Sequence, residues 1–182
     1  MSAADSFRQV NAAFAARVHG ARPDSWDNEA PCEGWVARDV VRHLVEWLPG
    51  FLESGAGIRL EPGPSVDEDP VAAWDVFAAQ VQALLDDPAS ADVTYRGRAG
   101  EHPLPQAVEQ FFVSDVFLHT WDLARATGQD EALDPERCAA MLAGMEPWDE
   151  ALRSSGHYGP RTPVADDADP TTKLMAFIGR AV

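Results

Sequence analysis

Asp115 and His119 are the residues whose types and spacing most directly suggest chemistry in this sequence. They are four positions apart, so on a helix they lie one turn apart and point in the same direction. The residues around them are largely apolar. An ionised carboxylate in apolar surroundings needs a partner, because burying it alone is costly in free energy. A cation held beside His119 would satisfy both side chains.

The same helix face carries a regular seam of six positions. Steps of four and three residues connect Val108, Phe112, Asp115, His119, Asp122 and Ala126, which places them on one side of a helix. Asp122 can therefore form a hydrogen bond to a metal-ligating side chain and fix the orientation of that side chain. A salt bridge from Asp122 to a neighbour such as Arg125 explains the same position equally well.

His43 is the natural third ligand from a facing helix. It lies on the inward stripe of a second helix, and imidazole is the commonest protein ligand for ions of the zinc type. Two imidazoles and one carboxylate suit Zn, Ni, Fe or Mn, and three protein ligands leave positions open for water or substrate. Asp39, four residues before His43, could support it, although acidic residues are also common at helix starts.

The three candidate ligands also have a purely structural interpretation. On spacing alone, Asp115 and His119 could be a hydrogen-bonded core pair, with His43 satisfied in the core. Cys32 is either activated by the start of the second helix or a buried and inert thiol. Arg161 and Arg180 are candidate contacts for an anionic substrate on charge alone.

Helical periodicity organises the rest of the chain. It predicts helices at roughly 2–19, from 36, at 70–87 and 105–127, from 134, and at 171–178. Pro49 predicts a kink or an early stop near Leu48. The Gly- and Pro-rich segment 55–70 reads as a long crossover, and residues 89–104 as a short hairpin. Together these elements predict an all-α four-helix bundle in a single domain, 1–182, with short extra C-terminal helices.

Composition excludes several classes of partner. The formal net charge is −16 over 182 residues, which disfavours nucleic acid and anionic membrane surfaces. No apolar run approaches the roughly 20 residues of a membrane span, and no signal peptide is evident. Cys32 and Cys138 stand in unlike contexts and form no disulfide framework, so we expect a cytoplasmic protein.

Two motifs resemble those of a known family. Residues 31–35 (PCEGW) with 39–44 (DVVRHL), and residues 119–128 (HTWDLARATG), are similar to the signatures of the mycothiol-dependent maleylpyruvate isomerase family. That family belongs to the DinB-like metalloprotein superfamily. The ending, from Tyr158 to Arg180, is similar to the short, single-domain actinobacterial members. The resemblance implies a DinB-like bundle with a crossover, and a divalent metal held by His43, Asp115 and His119.

The chain departs from the isomerase in two respects. The isomerase has Glu at the position of Asp115, and it carries a further C-terminal domain, whereas this chain ends at Val182. We therefore expect a related thiol chemistry rather than maleylpyruvate isomerisation itself. The resemblance implies a metal-dependent transferase or isomerase acting on a small molecule, with zinc or nickel as the ion and mycothiol or a related thiol as co-substrate.

Two other functions stay open at this point. A metal-assisted hydrolase would need a general base near the ion, for which Asp122 and Glu109 are the candidates. The other is a non-catalytic metal- or ligand-binding protein that forms a homodimer through an exposed helix face. Such a protein would not need a general base. A wide approach to the metal would count against the non-catalytic interpretation.

Overall fold

The structure is a computed structural model that describes residues 1–97, 100–156 and 158–182. Its α-helices are α1 (Ala3–Gly20), α2 (Ala37–Ala56), α3 (Pro70–Asp86), α4 (Leu104–Ala107), α5 (Ser114–Thr127), α6 (Pro135–Met145), α7 (Asp149–Ser154) and α8 (Pro170–Phe177). Strands β1 (Thr94–Gly97) and β2 (Gly100–Pro103) pair antiparallel, as the predicted hairpin requires. No helix in the described ranges is both long and apolar enough to cross a membrane.

Four helices form the bundle that holds the site. Helices α1 and α2 each pack against both α3 and α5, so the apolar stripes of the four helices share one core. Residues 57–69 join α2 to α3 without helix or strand. Gln80 on α3 exchanges two hydrogen bonds with the backbone of Glu61, which lays this link along the bundle. The predicted all-α bundle with a long second connection is confirmed.

Helix α2 continues past the proline within it. Of the kink or early stop that Pro49 predicts near Leu48, the early stop does not occur: α2 runs to Ala56, and Gly57, with a φ of 68°, caps it. Pro49 lacks only one backbone hydrogen-bond donor, and the helix buries Leu44, Leu48 and Leu52 completely. Burial of each such side chain contributes about 1.5–3 kcal/mol, enough together to offset the roughly 3 kcal/mol cost of an internal proline.

A π-helical segment lies directly before the residues that carry the chemistry. Residues Val108–Val113 connect α4 to α5 in one continuous helical run, and the N–H of Ser114 donates to the carbonyl of Glu109, five residues back. The 3.6-residue periodicity predicts a plain α-helix here, so this feature is a difference from the sequence prediction. Segments of this kind are frequent at functional sites because they change the register of the residues that follow.

The loop before α2 is fastened to α5. The side-chain amide of Asn28 donates to the carbonyl of Ala126 at 3.0 Å. Gly34, with a φ of 77°, turns the chain, and the N–H of Trp35 donates to the carbonyl of Cys32. This turn places Cys32 and Trp35 against the His119 region of α5.

The C-terminal segment returns to the bundle after α8. Helices α6 and α8 pack together. At Pro147 the chain leaves α6 through a 3₁₀ turn, Glu146–Trp148, which is followed by α7. The N–H of Arg180 donates to the carbonyl of Met175 at 2.9 Å. Gly179 adopts a φ of 94° and lies against the backbone of Gly159.

Substituting Gly179 tests this docking. In Gly179→Ala the new Cβ would lie 2.8 Å from the Gly159 backbone, at a φ that side chains rarely adopt. We expect a loss of about 1–3 kcal/mol from backbone strain, and more from the clash. Gly144→Ala is the control: it lies in α6 with open space around it, and should gain about 0.5–1 kcal/mol. Equal urea midpoints for the two variants would contradict this packing.

Candidate metal centre

His43, Asp115 and His119 come together where α2 packs against α5. The Nε2 atom of His43 lies 2.9 Å from Oδ2 of Asp115, and Nε2 of His119 lies 3.5 Å from Oδ1 of the same carboxylate. We call these three residues the outer ligand set. Its ligand atoms all lie within 4.8 Å of one another. The structure therefore brings together the three residues that the sequence nominated.

The outer ligand set opens to solvent on one side. The His43 and Asp115 side chains are 32% and 26% exposed, whereas His119 is buried. The indole N–H of Trp47 donates to Oδ2 of Asp115 at 3.0 Å, which holds the carboxylate in place. The Trp35 ring stacks on His119 at 5.7 Å and lies 5.1 Å from the His43 ring. The site is thus an accessible polar cluster with aromatic walls.

Neighbouring charges and hydrogen bonds stabilise the ionised forms of Asp115 and His119. Burial works against ionisation of Asp115, but His119, followed by His43 and Trp47, outweighs it and lowers the pKa of that carboxyl. Burial also opposes the charge on His119, yet Asp115 and then the hydrogen bond to Asp122 raise the His119 pKa to about 10. The metal-free site therefore carries an imidazolium between two carboxylates at neutral pH.

Asp122 orients His119 from behind. The Nδ1–H of His119 donates to Oδ2 of Asp122 at 2.9 Å, which leaves Nε2 facing Asp115. Burial opposes the charge of Asp122, but His119 and Arg180 lower the pKa of Asp122 to about 2. The salt bridge considered between Asp122 and Arg125 is not the arrangement found, because Arg125 pairs with Glu131.

Arg180 is the main functional residue that sequence reasoning misplaced. Charge alone suggested a contact with an anionic substrate, but its guanidinium binds Asp122 through two hydrogen bonds of 2.8 Å. The same guanidinium lies 3.1 Å from Sγ of Cys32, whose thiol donates to Asp122 at 3.5 Å. No local pattern could have paired residues 58 and 148 positions apart.

Two further residues take roles that the sequence left open. Asp39 accepts a hydrogen bond from the N–H of Val36 and pairs with Arg42, so its carboxylate stabilises the start of α2. A supporting role for Asp39 toward His43 stays a prediction. Burial, and then the negative charge of Asp115, raises the pKa of the Tyr158 phenol. A neutral phenol on the C-terminal segment thus belongs to the electrostatic surroundings of the site.

The donors of the outer ligand set fit a divalent ion. Imidazole and carboxylate ligands bind zinc at about 2.0–2.2 Å, so ligand atoms of a tetrahedral site lie roughly 3.3 Å apart. His43 lies 2.9 Å from one carboxylate oxygen of Asp115 and His119 lies 3.5 Å from the other, so each imidazole is within about half an ångström of that spacing from an Asp115 oxygen. A second group, Cys32, His119 and Asp122, shares His119 and has its ligand atoms within the same 4.8 Å limit. We call this group the inner ligand set.

Comparisons with known proteins show the family to which this chain belongs. Residues 7–124 match the family described as the mycothiol maleylpyruvate isomerase N-terminal domain. Two uncharacterized proteins of Mycobacterium tuberculosis, one from strain CDC 1551 and one from strain H37Rv, are each 34% identical over 178 residues, covering 93% of this chain and 93% of the relative. No solved structure matches. The chain belongs to the mycothiol maleylpyruvate isomerase N-terminal domain family, and its helical bundle is of the DinB-like type.

Proposed function

We propose that this protein holds one divalent metal ion in the outer ligand set and uses it in a thiol transfer or isomerisation on a small molecule. The observation that carries the proposal is the convergence of His43, Asp115 and His119 at a partly exposed edge of the bundle. Family membership supports mycothiol or a related thiol as co-substrate, and zinc as the first ion to test. Bound there, a divalent ion would lower the pKa of a coordinating thiol and make it nucleophilic at neutral pH.

The protein's own residues prepare the site for that chemistry. Trp47 holds one carboxylate oxygen of Asp115, and Asp122 fixes the ring orientation of His119. The Trp35 ring covers His119 on one side and so excludes water from its face. The exposed side, at His43 and Asp115, is the direction from which a thiol and a substrate would approach.

Neither of the two carboxylates considered as the general base of a hydrolase is free. Asp122 is completely buried and already accepts hydrogen bonds from His119, Arg180 and Cys32. Glu109 points to a different part of the bundle, where Ser6 donates to it at 2.8 Å and Arg137 pairs with it. Neither carboxylate nominated as base is placed to take a proton from water at the outer ligand set, which favours thiol chemistry.

Removing the indole donor tests the preparation of Asp115. In Trp47→Phe the carboxylate loses its 3.0 Å hydrogen bond while the aromatic packing remains. We expect divalent-metal affinity to fall about 10- to 100-fold, as is usual for partners of metal ligands. Trp148→Phe is the matched control, because Trp148 is 66% exposed. Isothermal titration with zinc measures both variants, and equal affinities would show that Trp47 has no such role.

Thiol binding tests the proposed chemistry directly. Protein expressed without an affinity tag is loaded with Co²⁺ and titrated with mycothiol, with the inner thiol removed by Cys32→Ser. We expect a sulfur-to-cobalt charge-transfer absorption that saturates with added thiol. Ester and amide substrates are assayed in parallel. Hydrolysis without any spectral response to thiol would favour the hydrolase, and neither response would favour a binding protein without catalysis.

A further inference from the structure

Two overlapping ligand sets compete for one histidine. His119 belongs to the outer ligand set through Nε2 and to the inner ligand set through Nδ1. Judged by donor chemistry, the inner ligand set is the stronger one, because thiolate is a preferred ligand of zinc-type ions. It is also buried, since the exposed fractions of Cys32, His119 and Asp122 are 8%, 6% and 0%. Donor chemistry alone would therefore place the ion in the inner ligand set.

A cation supplied by the protein already fills the inner ligand set. Arg180 donates through Nε to Oδ1 and through Nη2 to Oδ2 of Asp122, a bidentate pairing, and its Nη2 also lies 3.1 Å from Sγ of Cys32. The guanidinium cannot lose its charge in a protein. A divalent ion in the inner ligand set would thus stand a few ångströms from a permanent positive charge.

The backbone fixes Arg180 in this position. Its own N–H is bound to the carbonyl of Met175, and the next carbonyl, of Ala181, accepts from Arg125 at 2.6 Å. The preceding residue, Gly179, lies against the backbone of Gly159, so this part of the segment is packed on one side. The guanidinium is therefore part of the folded framework and not a mobile surface group.

We infer that Arg180 is a positioning residue that occupies the inner ligand set and thereby confines a divalent ion to the outer ligand set. It does so in two ways: its charge excludes a second cation, and its fork holds Asp122 as the acceptor for Nδ1–H of His119. His119 then presents Nε2 to Asp115. This inference rests on the proposed metal site, but it concerns which ligand set holds the ion, and it is measurable separately.

Cobalt spectroscopy distinguishes the two ligand sets, because only the inner one contains sulfur. The wild type loaded with Co²⁺ should show no sulfur-to-cobalt charge transfer in the absence of added thiol. In Arg180→Ala the ion should move inward, Cys32 should lose its proton to solvent on coordination, and the absorption should appear. Arg180→Ala combined with Cys32→Ser should lose it again. Arg180→Gln, which keeps an amide donor for Asp122, serves if the alanine variant does not fold.

Two controls separate charge from position. Arg180→Lys keeps the positive charge but loses the fork, so sulfur-to-cobalt charge transfer should stay absent, as in the wild type, while the hold on Asp122 weakens. Arg59→Ala removes one exposed charge from the salt bridge to Glu53 and should leave the spectrum unchanged. A second measurement uses His43→Ala, which should abolish cobalt binding in the wild-type background but not in the Arg180→Ala background.

The outcomes decide each claim on its own. An unchanged spectrum in folded Arg180→Ala and Arg180→Gln, or sulfur charge transfer already present in the wild type, would overturn the role of Arg180. Cobalt bound only by the Arg180 variants, through sulfur, would support the role of Arg180 and overturn the proposed outer metal site. No binding by any variant would overturn both.

Discussion

His119→Ala should abolish stoichiometric binding of a divalent metal. His119 is the ligand most deeply held in the outer ligand set, with Asp115 on one side of its ring and Asp122 on the other. Loss of a direct ligand should exceed the roughly 10- to 100-fold loss that follows removal of a ligand's hydrogen-bond partner. Elemental analysis of untagged protein and zinc titration measure the effect.

His19→Ala is the matched control for this substitution. His19 lies at the end of α1, is exposed, and pairs with Asp75 far from the outer ligand set. Its removal should leave metal content unchanged. Full metal content in folded His119→Ala would show that the three residues do not form the binding site, whatever else the protein binds.

Metal affinity should rise steeply with pH, which is the second large effect. The pKa of His119 is raised to about 10 in the metal-free site, so a divalent ion must displace a proton to reach Nε2 at neutral pH. We expect the apparent dissociation constant to fall about tenfold per pH unit between about pH 7 and about pH 9. Titrations in buffers of different ionisation enthalpy should report a proton released per ion bound. Affinity that does not change with pH over this range would contradict the protonated state of the site.

The stability of the metal-free protein should change in the opposite direction. Because the folded pKa of His119 lies above its ordinary value of 6.5, the imidazolium stabilises the fold fully below about pH 6.5. That contribution is lost as the pH rises through about 10. Urea unfolding of the wild type and His119→Ala across this range measures it, and the difference between the two should shrink as the pH rises. A constant difference would contradict the shifted pKa.

Local patterns predicted most of the helices and made the outer ligand set possible, whereas the metal assignment came from the family resemblance. The stripe on α2 and the four-residue step from Asp115 to His119 follow from helix geometry, so the sequence already places these side chains on inward faces. The start of the helix predicted from residue 134 also follows from local residues, because the carboxylate of Asp134 accepts a hydrogen bond from the N–H of Arg137. These features depend only on residues a few positions apart.

Features that depend on long-range packing escaped prediction. The continuation of α2 through Pro49 depends on what Leu48 and Leu52 bury against, and spacing does not report that. The π segment before Ser114 leaves no mark in a 3.6-residue pattern. The contacts of Arg180 with Asp122 and Cys32 join three distant segments of the chain, and the family match covers residues 7–124 and so does not reach Arg180.

Crystals of the untagged, zinc-loaded protein, measured on both sides of the zinc absorption edge, test the account most directly. The account predicts a single anomalous peak at about 2.0–2.2 Å from Nε2 of His43, a carboxylate oxygen of Asp115 and Nε2 of His119, with Arg180 still bound to Asp122. An anomalous peak beside Sγ of Cys32 would contradict the account. So would the absence of any peak, if zinc also leaves the unfolding temperature of the protein unchanged.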